Sequence, residues 1–182
     1  QIIWALLRGL SMGETVYVAH YFGAGRKQEM IYVMQQTIIS VIILSVILSI
    51  FTFFGAEHLL AIFNPRQELL IEAVSYIKIV SFGFPFLAIM LAVAGAFQGM
   101  SNSKIPMMIA LCLDIINIAA AYLLIFGKGV FPSMGIRGAA VAILLSEFAA
   151  ALIGLALLFR KNGLLYEFRN RRFFCVDIRK IV

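Results

Sequence analysis

Four ionisable side chains lie within long apolar stretches of the 182-residue sequence: Glu14, Lys78, Asp114 and Glu147. A charged side chain at the centre of a membrane helix costs about 2.5–3.5 kcal/mol on insertion scales, so such residues face a bundle interior or a water-filled cavity. Three carboxylates against one ammonium group favour a polar pathway for a cation or a cationic solute. The structural alternative is that Lys78 pairs with one of these acids and locks the bundle.

Asp114 is the strongest single candidate for this pathway, because Asp114 and Asn117 are three residues apart and share one face of a helix. Glu14 comes next, since the small and polar residues beside it, Gly13 and Thr15, indicate a helix interface rather than a lipid-facing surface. Desolvation of a carboxylate brings its proton exchange toward neutral pH. The residues expected to belong to a substrate or ion pathway are therefore Asp114, Asn117, Glu14, Glu147 and Lys78.

The composition excludes a soluble enzyme. The sequence is 63% hydrophobic and 13% charged, with a mean hydropathy of +1.00, whereas a soluble domain is about 45–50% apolar and about 25% charged. His20 and His58 have no partners at metal-ligand spacing, and no His-Glu-x-x-His motif is present. We expect no enzymatic activity, no catalytic residue, no metal and no cofactor.

Long apolar stretches predict the fold, an all-α membrane bundle of five transmembrane helices. A helix needs about 20 mostly apolar residues to cross a bilayer, and five stretches qualify, at about 2–22, 32–54, 69–97, 105–126 and 136–159. Pro85, preceded by Gly83, removes a backbone hydrogen bond within the third stretch and should bend it. The bend is interpreted either as a hinge or as a fixed kink.

The distribution of Lys and Arg predicts the orientation, because cytosolic loops carry an excess of both. One side of the predicted bundle holds ten: Arg26, Lys27, Lys104, Arg160, Lys161, Arg169, Arg171, Arg172, Arg179 and Lys180. The other side holds Arg66, Lys128 and Arg137. Residues 160–182 are thus predicted to form a basic cytosolic linker of a multi-pass protein of the cell (inner or plasma) membrane, with membrane lipid and not nucleic acid as its partner.

Small residues predict close helix packing. Gly9 and Gly13, and likewise Gly95 and Gly99, are four residues apart, the spacing that lets two membrane helices approach closely. The stretch 57–63 between the second and third spans is predicted to be a connector, with a short interfacial helix as the alternative.

Three stretches in register resemble the multidrug and toxic compound extrusion (MATE) family, part of the multidrug/oligosaccharidyl-lipid/polysaccharide flippase superfamily. Residues 13–15 and 18–26 (GET and VAHYFGAGR) are similar to its second helix and the loop after it, and residues 98–107 (QGMSNSKIPM) to the loop between helices four and five. The third stretch (NI at 117–118, YLLIFG at 122–127, GIRGAA at 135–140) is similar to helix five and the start of helix six.

The resemblance implies a transporter of twelve helices in two lobes that exports amphipathic organic cations, such as drugs and toxins, in exchange for H⁺ or Na⁺ by alternating access. Residues 1–159 would be helices two to six of the N-terminal lobe, and 160–182 the linker toward a missing C-terminal lobe. The chain starts at Gln1 rather than Met, so we expect a fragment of a longer protein, without its first helix.

Departures from the family pattern are Asn102 and Ile143, and Ala121 where an acid or Asn is frequent. Asp114 is expected to substitute for the acid missing at Ala121.

One rival function is a lipid-linked oligosaccharide or polysaccharide flippase, which needs a more basic groove. Another is a non-transporting membrane helix-bundle module.

Overall fold

A computed structural model describes residues 2–61, 66–127 and 133–159. Six helices occupy this part of the chain, which contains no strand: α1 (Ile2–Gly23), α2 (Lys27–Ala61), α3 (Gln67–Ser81), α4 (Phe84–Gly99), α5 (Lys104–Phe126) and α6 (Gly135–Phe159). The predicted all-α bundle is therefore confirmed. The predicted linker at 160–182 lies outside the described residues.

The number of spans supported by length and composition is smaller than the five predicted. Helices α2, α5 and α6 are each long and apolar enough to cross a membrane, and α3 and α4 together form a fourth, broken span. Helix α1 has 22 residues but is not among the helices that are both long and apolar enough to span. Arg8 and Glu14 interrupt its apolar sequence. The count of five is thus approximate, and the difference lies in α1.

Helix α2 is longer than the predicted span 32–54. It runs without interruption over 35 residues, about 52 Å at 1.5 Å per residue, which exceeds a hydrocarbon core of about 30 Å. Residues 57–61 therefore continue α2, and the prediction of a connector or a separate interfacial helix is wrong for them. No proline interrupts the chain before Pro65, so the helix can continue through Glu57 and Leu60.

The third predicted span is broken at Phe82 and Gly83. Helices α3 and α4 meet there at a bend of 46°. The Gly83 N–H donates to the Val80 carbonyl oxygen at 2.8 Å, which closes the last turn of α3. Pro85 lies in the first turn of α4, where a residue without an N–H loses no helical hydrogen bond. We call residues 82–83 the joint; its use as a hinge stays a prediction.

Helix α4 lies at the centre of the bundle and packs against α1, α2, α5 and α6. Its contact with α1 is close because α4 presents Gly95 and Gly99, where an added Cβ would lie 2.8 Å from backbone oxygens of α1. The Ser11 hydroxyl donates to the Leu91 carbonyl oxygen at 2.6 Å, and the Thr15 hydroxyl to that of Gly95 at 3.2 Å. These bonds fix α1 on the central helix.

Candidate functional site

The side chain of Glu14 is buried between helices α1 and α2 and retains 2% exposure. Neither of its carboxylate oxygens has a hydrogen-bond partner in the described part of the chain. Its neighbours Ser11 and Thr15 donate hydrogen bonds to α4, whereas Glu14 lines a groove together with residues of α2. The residue that sequence analysis placed second among the candidates is therefore a buried acid without a counterion among the described residues.

Glu14 lines a groove of about 640 Å³ between α1 and α2, which we call the Glu14 groove. This volume lies within the range of about 300–1,000 Å³ that small-molecule sites occupy. Nothing lies within 4 Å of a Cβ added at Gly9 or Gly13, so these glycines contribute open space, and their predicted packing role has no partner helix among the described residues. The groove is lined by Gly9, Leu10, Gly13, Glu14, Tyr17, Tyr21, Glu29, Tyr32, Val33, Gln36, Thr37, Ser40 and Val41.

The lining of the Glu14 groove is acidic and aromatic. It contains three tyrosines and two carboxylates, Glu14 and Glu29, and none of its residues is Lys, Arg or His. Glu29 lies 3.8 Å from the Nε atom of Arg26 outside the lining, so Glu14 is the carboxylate of the groove without an ion pair among the described residues. Tyrosine rings attract cations through their negative faces. Sequence analysis missed Glu29 and the tyrosines, although Tyr17 and Tyr21 are four residues apart, as are Tyr32 and Gln36, the spacing that places side chains on one helical face.

Glu147 lies elsewhere in the bundle, on α6 against the joint. Its side chain is 9% exposed, and its Oε2 atom has no hydrogen-bond partner in the described residues. A Cβ added at Gly83 would overlap that oxygen, so the carboxylate occupies space that only a glycine leaves free. The adjacent Phe148 packs edge-to-face on Phe86 of α4 at 5.0 Å between ring centroids, which holds α6 beside the joint.

Asp114 and Asn117 have different surroundings on α5. The Asn117 side-chain amide donates to the Ser146 hydroxyl on α6 at 3.2 Å, whereas Asp114 is exposed on the described part of the chain. Neither residue lines the Glu14 groove. The structure therefore does not bring Glu14, Glu147 and Asp114 together in one cavity.

Lys78 pairs with an acid that sequence analysis had placed in a connector. Its Nζ atom lies 2.8 Å from Oε1 of Glu57 on α2, and the two side chains are 33% and 65% exposed. The structural alternative, in which Lys78 pairs with Glu14, Asp114 or Glu147, is wrong, because α2 continues past residue 54 and places Glu57 beside α3. The pair lines a second groove of about 580 Å³ between α2 and α3, which we call the Lys78 groove.

Comparisons with known proteins identify the family to which this bundle belongs. The family model described as MatE matches residues 1–123, more than half of the chain. The chain belongs to the MATE family. The sequence is 32% identical over 176 residues, or 94% of the chain, to a probable multidrug resistance protein NorM of Thermotoga maritima. It is 25% identical over 93% of the chain to the probable multidrug resistance protein YoeA of Bacillus subtilis.

Solved structures of MATE transporters share the fold. One, described as the inward-facing conformation of a multidrug resistance MATE family transporter of the MOP superfamily, matches 88% of this chain at a TM-score of 0.82 and 25% identity. Another, described as MATE in the bent conformation, matches 93% of this chain at a TM-score of 0.83 and 24% identity. The chain spans 36% and 38% of these two structures and 37% of the NorM and YoeA relatives. The larger remainder of a MATE transporter therefore has no counterpart in this chain.

Proposed function

We propose that the full-length protein is a secondary antiporter that exports amphipathic organic cations in exchange for H⁺ or Na⁺ by alternating access. It acts in the cell membrane, with residues 160–182 in the cytosol. The observation that carries this proposal is the buried Glu14 carboxylate, which has no counterion among the described residues and lies in a groove of drug-like size. A second lobe of the same polypeptide completes the pathway.

An unpaired buried carboxylate favours the binding of a positive charge. Burial of a bare charge away from water is costly, so the site is more stable when a proton, a metal cation or an organic cation neutralises it. Two cations that compete for one carboxylate bind in alternation, because occupancy by one removes the charge that attracts the other. Competition at Glu14 would thus exchange a coupling ion for a substrate.

The rest of the groove suits the substrate class. Three tyrosines line the groove, and aromatic rings attract cations; the apolar residues Leu10, Val33 and Val41 suit a hydrophobic body. A lipid-linked sugar flippase would need basic groups for a pyrophosphate. The Glu14 groove has none among its lining residues, and the basic side chain of Lys78 pairs with Glu57.

The names of the relatives support export of drugs, since NorM of Thermotoga maritima and YoeA of Bacillus subtilis are both called probable multidrug resistance proteins. A non-transporting helix bundle is the second alternative. It predicts that neutralisation of Glu14, Asp114 and Glu147 together leaves every activity of the full-length protein unchanged.

The test uses the full-length protein in sealed vesicles with a fluorescent organic cation, under an imposed pH gradient or an imposed Na⁺ gradient. Wild-type protein should move the dye against its gradient with one of the two ions. Glu14→Gln should abolish this movement, and Glu57→Gln, which changes an exposed acid in the other groove, should retain it. Movement by Glu14→Gln at the wild-type rate would overturn the assignment of Glu14, and no ion-driven movement by wild type would overturn antiport.

A further inference from the structure

The joint between α3 and α4 is in contact with a carboxylate from a third helix. The Oε2 atom of Glu147 occupies the position next to Gly83 where other residues carry a side chain, and the Val80 carbonyl oxygen lies 3.1 Å from the same Cβ position. The carboxylate thus lies beside the last turn of α3 and the first turn of α4. This contact is independent of the Glu14 groove, whose lining contains neither residue.

No ion pair neutralises Glu147 in the described part of the chain. Helix α4 has no Asp, Glu, Lys, Arg or His. On α3, Lys78 is directed to Glu57 and Phe53 of α2, and Glu72 is exposed. Among the side chains that the structure describes, the other titratable groups on the helices packed against Glu147, and on α6 itself, are the half-buried Tyr76 and Cys112 and the exposed Lys104, Asp114, Tyr122 and Arg137.

The two halves of the broken span present opposite partial charges at the joint. The end of α3 carries carbonyl groups, which are the negative end of a helix dipole, and the start of α4 carries free N–H groups, which are the positive end. An ionised Glu147 is attracted to the N–H groups of Phe84 and Phe86 and repelled by the Val80 carbonyl oxygen. A protonated Glu147 can donate its O–H to that carbonyl oxygen instead.

We propose that the Glu147 carboxyl group is a proton-binding site whose occupancy sets the angle between α3 and α4. The only bond that forms or breaks is the carboxyl O–H bond; the proton comes from water and returns to water. The ionised carboxylate interacts more favourably with the start of α4, and the protonated carboxyl group with the end of α3. The angle between the two helices changes accordingly, because Gly83 has no side chain that would block the movement. This inference rests on the proposed antiport only where it assigns the change in angle between α3 and α4 to the transport cycle.

The test measures the bend without any substrate. Spin labels at Ile71 of α3 and Gln98 of α4, both exposed, are introduced as cysteines into a cysteine-free full-length protein in lipid nanodiscs. In wild type, the distance between the labels should shift between mildly acidic and mildly alkaline pH. Glu147→Gln should hold the acidic distance at both pH values, and the matched control Glu72→Gln, which changes an exposed acid of α3, should retain the shift.

Gly83→Ala provides a second test that leaves the carboxyl group in place. Its methyl group takes the position of Oε2, so the pH-dependent shift should be lost, and Glu147→Ala in the same chain should restore the folded yield that Gly83→Ala loses. A pH-dependent shift that persists in Glu147→Gln, or no shift in wild type, overturns the proposal. A shift produced by Na⁺ at constant pH overturns the assignment of a proton.

The two proposals fail in different ways. If antiport is wrong but the joint binds a proton, the distance still shifts with pH while no ion gradient drives dye movement. If the joint is insensitive to protons but antiport is correct, dye movement depends on Glu14 and the distance does not change with pH.

Discussion

Helix α2 borders two grooves of similar size that differ in whether their main carboxylate has an ionic partner. The Glu14 groove, against α1, has a volume of about 640 Å³ and contains a buried acid without a partner among the described residues. The Lys78 groove, against α3, has a volume of about 580 Å³, and its acid, Glu57, is exposed and lies 2.8 Å from Lys78. Both grooves are lined by a mixture of apolar, polar and charged side chains.

The difference between the two grooves shows which one still requires a ligand. In the Lys78 groove, Lys78 already neutralises Glu57, so a bound cation would replace an interaction of similar strength. In the Glu14 groove, a cation would supply a neutralising charge that none of the lining residues provides. The two grooves cannot be distinguished by volume. They differ in whether the carboxylate has a neutralising partner.

Reversing the charge of the buried acid should produce the largest effect. Glu14→Lys places an ammonium group where an organic cation should bind. We expect substrate affinity of the full-length protein to fall at least about 100-fold, since an unpaired charge in a buried site costs about 3 kcal/mol or more. Equilibrium binding of a fluorescent cation measures this. Glu57→Lys is the matched control in the Lys78 groove, and an equal loss of affinity there would contradict the comparison.

Several features of the bundle could be predicted from the sequence because they depend on local patterns. Long apolar runs indicated the spans, and Gly83 with Pro85 marked the position where α3 and α4 separate. Glu14 was recognised as a candidate from its small and polar neighbours. Each of these signals lies within about one turn of the residues concerned, where helix geometry fixes the neighbourhood.

Other features could not be predicted, because they depend on how one helix is rotated against another. The spacing of Asp114 and Asn117 placed both on one face, yet Asn117 donates a hydrogen bond to α6 while Asp114 is exposed. The partner of Lys78 depends on where α2 ends. The predicted span stopped at residue 54, because polar residues follow it, so the helical turn that carries Glu57 was not predicted. The tyrosine of α2 belongs to the Glu14 groove only because α1 packs beside that face.

Replacing a glycine with alanine should change stability in opposite directions at a packed position of α4 and an open position of α1. Gly95→Ala should destabilise the protein by about 1–3 kcal/mol through overpacking, because its Cβ would lie 2.6 Å from the Ser11 hydroxyl and 2.8 Å from the Ser11 carbonyl oxygen. Gly13→Ala should instead stabilise α1 by up to about 1 kcal/mol, since alanine is the better helix former. Thermal unfolding in detergent measures both. Destabilisation by Gly13→Ala would show that another segment of the full-length protein packs on this position.

Removing one aromatic ring from the groove should have a smaller effect on binding. Tyr17 is largely exposed at the rim of the Glu14 groove, so Tyr17→Leu should leave the folded yield unchanged. We expect affinity for an organic cation to fall by about 0.5–2 kcal/mol, the range of cation–π contributions. Tyr17→Phe retains the ring and should bind like wild type. Equal losses in both variants would assign the effect to the hydroxyl group and contradict a role for the ring.

Neutralising the exposed acid of the Lys78 groove should have the smallest effect of all. Glu57→Gln removes an ion pair, but solvent already screens both side chains, and exposed pairs contribute little to stability. The thermal midpoint of the full-length protein should therefore barely change, and added salt should reduce even that difference. Dye affinity and ion-driven dye movement should equal those of wild type. A loss of transport in Glu57→Gln, with binding intact, would mean that the Lys78–Glu57 contact participates in the conformational cycle, and the two grooves would then differ in role rather than in the need for a ligand.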